Sequence, residues 1–492
     1  MTEQLLRHLP KIDALTAQKP LVDWPVSTAT LLARQAVAEV RKRILAGEVA
    51  DADAVVAAVA AAVAQRAQVL QQPSLRPVWN GAGILLHTNA GRAPLGAAAA
   101  QQLQSVAAGY CNLELSLDTG KRSNRQDHVR PLLCWLTGAQ DALVVNNGAA
   151  AILLAVHALA AHRPVLVSRG ELIEIGGSFR MPDVLVAAGA ELVEVGTTNR
   201  THLRDYEQAL VRLQEAGRPA AAIVVVHRSN FAILGFEAHP ELTDLKQLAS
   251  KWQIPLVVDL GSGAIAPIAA TWVRPPDGSA PRREPTVREV LDAGADVVTF
   301  SGDKLIGGPQ AGILCGHTQW VARLAASAMA RALRVDNLCL AALEATARSH
   351  LLGQADRDLP VLAQLQQSAA EVQAAAQELA HVCSQAMTAA HTALFVALVP
   401  VQTRLGGGTD PLVVLESWAL AISTGDGGPS ATALADAALQ LAVPVLGRVR
   451  GQEWLLDTRT LLAGAGGRSI AEVGEQLAVA LGQAWVAAGG RR

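Results

Sequence analysis

Lys304 ends the run Thr299-Phe300-Ser301-Gly302-Asp303-Lys304 and is followed by Gly307-Gly308-Pro309. An amine at the end of an apolar strand, among small residues, reaches an enclosed ligand while its charge is partly desolvated. Those conditions suit a Schiff base with a carbonyl compound. Ser301 stands three residues earlier, where a hydroxyl can meet a phosphate, and the glycines allow close backbone approach. The other lysines are placed differently. Lys11, Lys19 and Lys42 fall in an N-terminal helical stretch and Lys121 in a polar one, while Lys246 and Lys251 punctuate an amphipathic helix expected over Leu242 to Trp252.

Two further groups complete a cofactor site. Asp259 ends the apolar run Leu256-Val257-Val258 and precedes Leu260-Gly261-Ser262-Gly263. A carboxylate there can pair with a protonated pyridine nitrogen and keep the ring an electron sink. Acidic residues at strand ends also serve as plain turn formers, so Asp259 gains weight only beside Lys304. Asn146-Asn147-Gly148-Ala149 joins another apolar run to a helix, and backbone N–H groups at a helix start attract phosphate. A phosphate turn (Asn147, Gly148, Ala149, with Ser301), a ring-nitrogen partner (Asp259) and a Schiff-base amine (Lys304) are the parts that pyridoxal 5'-phosphate needs.

Arginines supply a second group. Arg92 lies in His87-Thr88-Asn89-Ala90-Gly91-Arg92, Arg125 in Ser123-Asn124-Arg125, and Arg331 and Arg334 in Arg331-Ala332-Leu333-Arg334. Spaced by three, the last two are expected to share a helix face. Forked guanidiniums bind phosphate-like oxyanions bidentately. The chain carries 41 lysines and arginines, of which only seven are lysine. In so arginine-rich a sequence, composition alone favours surface roles for these four.

The elements that position these groups are legible from hydrophobic patterning. Short apolar runs at Ala142–Val145, Val165–Ser168, Leu192–Val195, Ala222–Val226, Leu256–Asp259, Val297–Phe300 and Gly312–Cys315 alternate with helical stretches. That pattern predicts an α/β fold with a mainly parallel seven-stranded sheet and helices on both faces. Ligands bind beyond the carboxyl ends of such strands, where Gly196-Thr197-Thr198, His227-Arg228-Ser229-Asn230, Asp259 and Lys304 gather. Residues 1–72 read as a separate helical domain, with Leu31-Leu32, Val37, Val40 and Leu45 at helical spacing and Gln71-Gln72-Pro73 as a break. The core is expected over 73–345. A smaller C-terminal α+β domain is expected over 346–492, containing the Gly406-Gly407-Gly408-Thr409 loop. One helical stretch is expected from Thr318 to Leu352, and a surface loop over the proline-rich 267–285.

With 492 residues and a net charge of −2, the chain can bury a large core and offers no overall basic charge for nucleic acid. Five scattered cysteines without metal spacing read as reduced thiols in a cytoplasmic protein. The N-terminus lacks a signal-peptide pattern. The longest apolar run, Ala54 to Ala64, is too short to span a bilayer, so no membrane is expected.

Taken together, Val78-Trp79-Asn80, His87 to Arg92, Asn112-Leu113-Glu114, Thr119-Gly120-Lys121-Arg122, Ser168-Arg169-Gly170-Glu171 and Glu174 to Arg180 resemble bacterial selenocysteine synthase, the L-seryl-tRNA(Sec) selenium transferase family. So do Val195-Gly196-Thr197-Thr198-Asn199-Arg200, Ser301 to Lys304 with Gly307 to Gln310, Arg331 to Asp336 and Leu455-Leu456-Asp457-Thr458-Arg459-Thr460. The resemblance runs nearly end to end and includes the N-terminal domain. It implies a fold-type-I pyridoxal-phosphate enzyme assembled as a ring of dimers, a decamer, with sites at dimer interfaces. It further implies conversion of tRNA-bound serine to selenocysteine through an aminoacrylyl stage, with selenophosphate as donor. Carried over by position, Lys304 holds the cofactor, Asp259 its ring nitrogen, and Asp303 assists the chemistry. Arg92, Arg125, Arg331 and Arg334 bind the donor, Thr197 and Thr198 are candidates for substrate contact, and residues 1–72 bind tRNA. The chain departs from the family pattern at Gly81 to Gly83, Arg228 and Asn124.

Two other functions remain open to the sequence. One is a related pyridoxal-phosphate lyase acting on a small amino acid or amino-sugar acid, which needs no tRNA-binding domain. The other is a tRNA-binding protein with a vestigial cofactor fold, against which the intact Ser301, Lys304 and Asp259 set argues.

Overall fold

The computed structural model describes residues 2–176, 179–231, 233, 236–268, 284–389, 392–409, 413–425 and 427–490. Residues 269–283 of the expected 267–285 loop, and Gly177 and Ser178 of the Glu174 to Arg180 motif, lie outside them. The chain forms two compact units, Met1–Pro77 and Val78–Arg492.

In the first unit, helix α1 (Val26–Leu45) packs on helix α2 (Ala52–Gln71), which Asp51 starts by accepting the Ala54 amide at 2.8 Å. The buried stripe of α1 is Leu32, Ala36, Val40 and Ile44, while Leu31 and Leu45 are exposed. This corrects the face read from sequence, because alanines spaced at 3.6 residues belong to the stripe and Leu31 stands beside it. Helix α2 is long and apolar enough to cross a membrane by composition, yet it buries Val55, Val59 and Val63 in the unit's own core. The unit ends at Pro77 rather than at residue 72. Trp79 and Asn80 already pair in parallel with Val445 and Leu446, so the chain is committed to the second unit from there.

The second unit is built on a seven-stranded sheet. Its strands are β1 (Asp141–Val145), β2 (Pro164–Ser168), β3 (Glu191–Val195), β4 (Ala222–Val226), β5 (Leu256–Gly261), β6 (Val297–Ser301) and β7 (Gly312–Gly316), in the order β1-β7-β6-β5-β4-β2-β3. Strands β3, β2, β4, β5 and β6 pair in parallel, and β7 runs antiparallel to both its neighbours. Successive residues feed opposite faces. Ala142, Val144, Leu166, Val258 and Val298 enter one core, and Leu143, Val145, Val165, Val257 and Val297 enter the other. A period of two with apolar residues on both faces requires helices on both sides of the sheet.

The C-terminal part begins differently from the expectation. Helix α3 (Asn337–Leu351) runs unbroken across the junction expected at 345/346, burying Leu340, Leu343 and Ala347. A four-stranded antiparallel sheet then forms from β8 (Leu394–Arg404), β9 (Val414–Thr424), β10 (Arg448–Arg450) and β11 (Glu453–Asp457), with Leu420, Ile422 and Trp454 in its own core. The Leu455 to Thr460 motif locks this sheet. Fully buried Asp457 accepts the hydroxyls of Thr403 at 2.7 Å and Ser417 at 3.0 Å, and its amide donates to Gly81 O at 2.9 Å. Arg459 donates to Glu416 O at 2.7 Å and Gln367 O at 3.0 Å. A Cβ at Gly81 would lie 2.8 Å from Leu446 O, so glycine there allows the segment to seat. Leu85 and Leu86 continue the contact by donating to Arg404 O and Leu405 O, and deliver the His87 to Arg92 turn.

Candidate active site

Lys304 lies three residues beyond β6 and is 5% exposed. The bend that presents it is fixed by backbone bonds from Gly302 to Ala311 O, Leu305 to Ser262 O and Gly308 to Gly302 O. Its side chain lines a cavity of about 540 Å³ together with Asn147, Gly148, Ala149, Asp259 and Ser301. Arg92, Thr88, Asn89, Gln310, Gly407 and Gly408 also line that cavity. Five strands and turns far apart in sequence thus deliver their groups to one space at the carboxyl ends of the parallel strands, as expected for this topology.

Asn147 caps a 13-residue helix, Gly148–Ala160, by accepting the Ala150 amide at 2.8 Å. Gly148 and Ala149 therefore present the first turn of a helix to the cavity, where amides and the helix dipole favour an anion. A side chain at Gly148 would collide with Ser301 Oγ, so the hydroxyl and the helix start are held together. Asp259 is buried and accepts the Thr299 hydroxyl at 2.6 Å. Burial raises its carboxyl, opposed by that hydrogen bond and by the Lys304 charge. Burial lowers the Lys304 amine, opposed by Asp259 and reinforced by Arg92. Asp303 is pinned by Arg92 NH1 at 2.7 Å, with Arg92 itself at φ 60 and its buried Nε without a hydrogen-bond partner among the described residues. A non-glycine residue in the left-handed region costs energy and is tolerated where surroundings impose it.

The remaining arginines gather elsewhere. Arg125 donates to Glu114 Oε1 from Nε at 3.0 Å and from NH2 at 2.8 Å, and to Val335 O from NH1 at 2.7 Å. Arg334 reaches the same Glu114 oxygen at 3.4 Å. Arg331 and Arg334 do not share a helix face. The helix Ala328–Ala332 ends before Leu333, and Arg334 forms an antiparallel bridge with Val145 at the end of β1. The helical stretch expected from Thr318 to Leu352 is divided into three helices, Thr318–Ala326, Ala328–Ala332 and Asn337–Leu351. Arg125, Arg331 and Arg334 do not line the Lys304 cavity, although β1 leads two residues later into the Asn147 cap. Thr197 and Thr198 do not line it either. They follow edge strand β3, are exposed, and the Thr197 hydroxyl donates to Arg200 O at 2.9 Å.

Comparison with known proteins gives this site its context. A family model described as L-seryl-tRNA selenium transferase matches residues 78–462. An L-seryl-tRNA(Sec) selenium transferase of Methylocella silvestris is 43% identical over 94% of this chain and 95% of its own. One of Moorella thermoacetica is 41% identical over 98% of this chain and 97% of its own. The chain belongs to the L-seryl-tRNA selenium transferase family. Among solved structures, D-glucosaminate-6-phosphate ammonia-lyase superposes with a TM-score of 0.52 at 20% identity, covering 82% of this chain and 98% of that one, which shows the fold they share.

As a selenium transferase family member, the chain is a pyridoxal-phosphate enzyme, and its residues fit that group. A buried amine, a buried carboxylate whose charge a protonated ring nitrogen would restore, and a glycine turn closed by a serine hydroxyl face one cavity. Thr299, Thr88, Asn89 and Gln310 carry no role in the sequence reading, although all four lie inside the quoted runs. Gly406 to Thr409 read as a loop without a role. The approach of that loop to Lys304 comes from the tertiary fold, and no local pattern announces it.

Proposed function

We propose that the chain converts serine esterified to its tRNA into selenocysteine, taking selenium from selenophosphate and releasing phosphate. The observation that carries this reading is end-to-end likeness to proteins of that name, 41% identical over 98% of the chain, joined to a buried Lys304 facing Asp259. A lyase acting on a small amino acid would share the Lys304 cavity but has no need of the N-terminal helical unit.

Lys304 would hold pyridoxal phosphate, Asp259 its ring nitrogen, and the Asn147–Ala149 turn with Ser301 its phosphate. When bound, the cofactor supplies a sink for the electron pair left by the serine α-proton. Lys304 Nζ takes that proton and later returns it, and burial favours the neutral amine this requires. Asp303, fixed by Arg92, assists proton transfer where hydroxide leaves the β-carbon. Arg125, Arg331 and Arg334, with Arg92, bind the donor's phosphate group, and Thr197 and Thr198 contact substrate. Because three of those arginines stand outside the cavity of their own chain, we place the working site between subunits of a homo-oligomer, a ring of dimers. Exposed Leu115, whose backbone bridges to Arg122, together with exposed Tyr110 and Leu117 in the same segment, favours such an interface. The helical unit binds tRNA, and the enzyme works in the cytoplasm with its five cysteines reduced.

Incubation of the holoenzyme with seryl-tRNA and selenophosphate, followed by deacylation and mass analysis, tests the proposal. Selenocysteine is expected on the tRNA. Unchanged serine, with turnover of a free amino acid or amino-sugar acid instead, would favour the lyase reading.

A further inference from the structure

Glu114 sits at the centre of an arginine cluster to which neither the cofactor nor the fold assigns it a role. Its Oε1 takes both the Nε and NH2 of Arg125 and the NH1 of Arg334, and its Oε2 takes Arg122 NH2 at 3.3 Å. Arg331 belongs to the same cluster. Desolvation, then the charges of Arg125 and Arg331, push the Arg334 guanidinium below its ordinary range, while Glu114 opposes them. The Glu114 carboxyl is itself held low, chiefly by the Arg125 hydrogen bond. Three guanidiniums on one carboxylate, with the Arg331 charge acting on Arg334, form a cationic cluster with like charges at close range, an arrangement that an oxyanion relieves.

The cluster is anchored to the fold at two points. Arg125 is buried and anchored at its far end on Val335 O, and Arg334 is bridged to Val145. Against those anchors, Glu114 fixes the rotation of the Arg125 fork and draws Arg122 and Arg334 toward it. An incoming phosphate must share those donors with Glu114, so the carboxylate lowers affinity as well as shaping the site. We infer that Glu114 is the positioning residue of the donor site. It orders Arg122, Arg125 and Arg334 for a tetrahedral oxyanion, and its charge keeps the phosphate left after transfer exchangeable. The inference rests on the proposed reading of these arginines as the donor site, and it adds Arg122 to them.

Inorganic phosphate is the probe, measured as a competitive inhibitor against selenophosphate with full-length holoenzyme. Glu114→Gln keeps an acceptor oxygen and removes the charge, so the phosphate Ki should fall about fivefold or more. Glu114→Ala removes the acceptor, so phosphate Ki and selenophosphate KM should both rise about tenfold. Cofactor absorbance and particle size check the fold of each variant. If the alanine variant does not assemble, the glutamine variant alone decides. Equal weakening in both variants, or an unchanged Ki with glutamine, would overturn the inference and leave Glu114 a structural residue. The donor-site reading fails separately if Arg125→Ala and Arg334→Ala leave phosphate inhibition as it was.

Discussion

Gly408 and Lys304 are packed so closely that a Cβ at position 408 would overlap the lysine amine. The two residues come from different parts of the second unit and meet across the cofactor cavity. Gly408 also adopts φ 83, where a side chain costs about 1–2 kcal/mol of backbone strain. Gly408→Ala should therefore displace Lys304 and lower cofactor loading sharply while leaving the protein folded. Visible absorbance read beside circular dichroism checks this, and full loading would show that the loop yields without disturbing the lysine.

The ionisation of Lys304 gives a pH dependence with a definite sign. Burial lowers its amine from the ordinary value of 10.5, and the Asp259 charge opposes that shift. Only the neutral amine attacks a carbonyl, so the rate at which apo-protein captures pyridoxal phosphate should rise with pH through a midpoint below 10.5. Asp259→Asn removes the opposing charge and should move the midpoint lower still. Between the lowered folded value and 10.5 the unfolded chain holds a proton that the folded chain does not. Apo-protein stability should accordingly rise with pH across that window. Stopped-flow absorbance across pH tests the capture rate, and a midpoint that rises in the variant would contradict the assigned environment.

Much of this site was legible because its parts sit at strand ends. All seven strands of the large sheet appear in the sequence as short apolar runs, and two neighbouring ones carry Asp259 in the second half of β5 and Lys304 three residues beyond β6. Three features were not legible. Arg334 leaves the helix because its backbone pairs with Val145, a contact that spacing of three cannot reveal. The junction expected at 345/346 falls inside Asn337–Leu351, whose apolar face continues through it. Gly408 reaches Lys304 only through the packing of the C-terminal part on the sheet.

Asp259→Asn should also retain some cofactor but slow loss of the serine α-proton, because the ring nitrogen loses its charged partner. Exchange of the α-hydrogen of seryl-tRNA in heavy water measures that step separately from selenium transfer. An unchanged exchange rate would remove Asp259 from the chemistry.

Arg331→Ala and Arg334→Ala should raise the selenophosphate KM at least about tenfold and affect dehydration of the seryl group less. Single-turnover assays with and without donor separate the two halves. Equal loss of cofactor from both variants would mark the arginines as structural.

Deleting residues 1–77 should leave a folded, cofactor-bearing unit, since the described strands, Asp259 and Lys304 all belong to Val78–Arg492. That unit should lose tight binding of seryl-tRNA and discrimination between serine-accepting tRNAs, which depends on shape as well as phosphate contacts. Filter binding at two salt concentrations decides it, and unchanged affinity and selectivity would move the tRNA site onto the larger unit.

Borohydride reduction of the holoenzyme, followed by proteolysis and peptide mapping, tests most directly whether Lys304 carries the chemistry. Lys246 is paired with Asp296 at 2.7 Å and Lys251 with Glu207 at 3.2 Å, which leaves Lys304 as the amine in the cavity. The reduced cofactor should be found on the peptide containing Ser301 to Lys304, and Lys304→Ala should abolish both the tag and selenocysteine formation. A tag on Lys246 or Lys251, or selenocysteine formed by Lys304→Ala, would contradict the assignment.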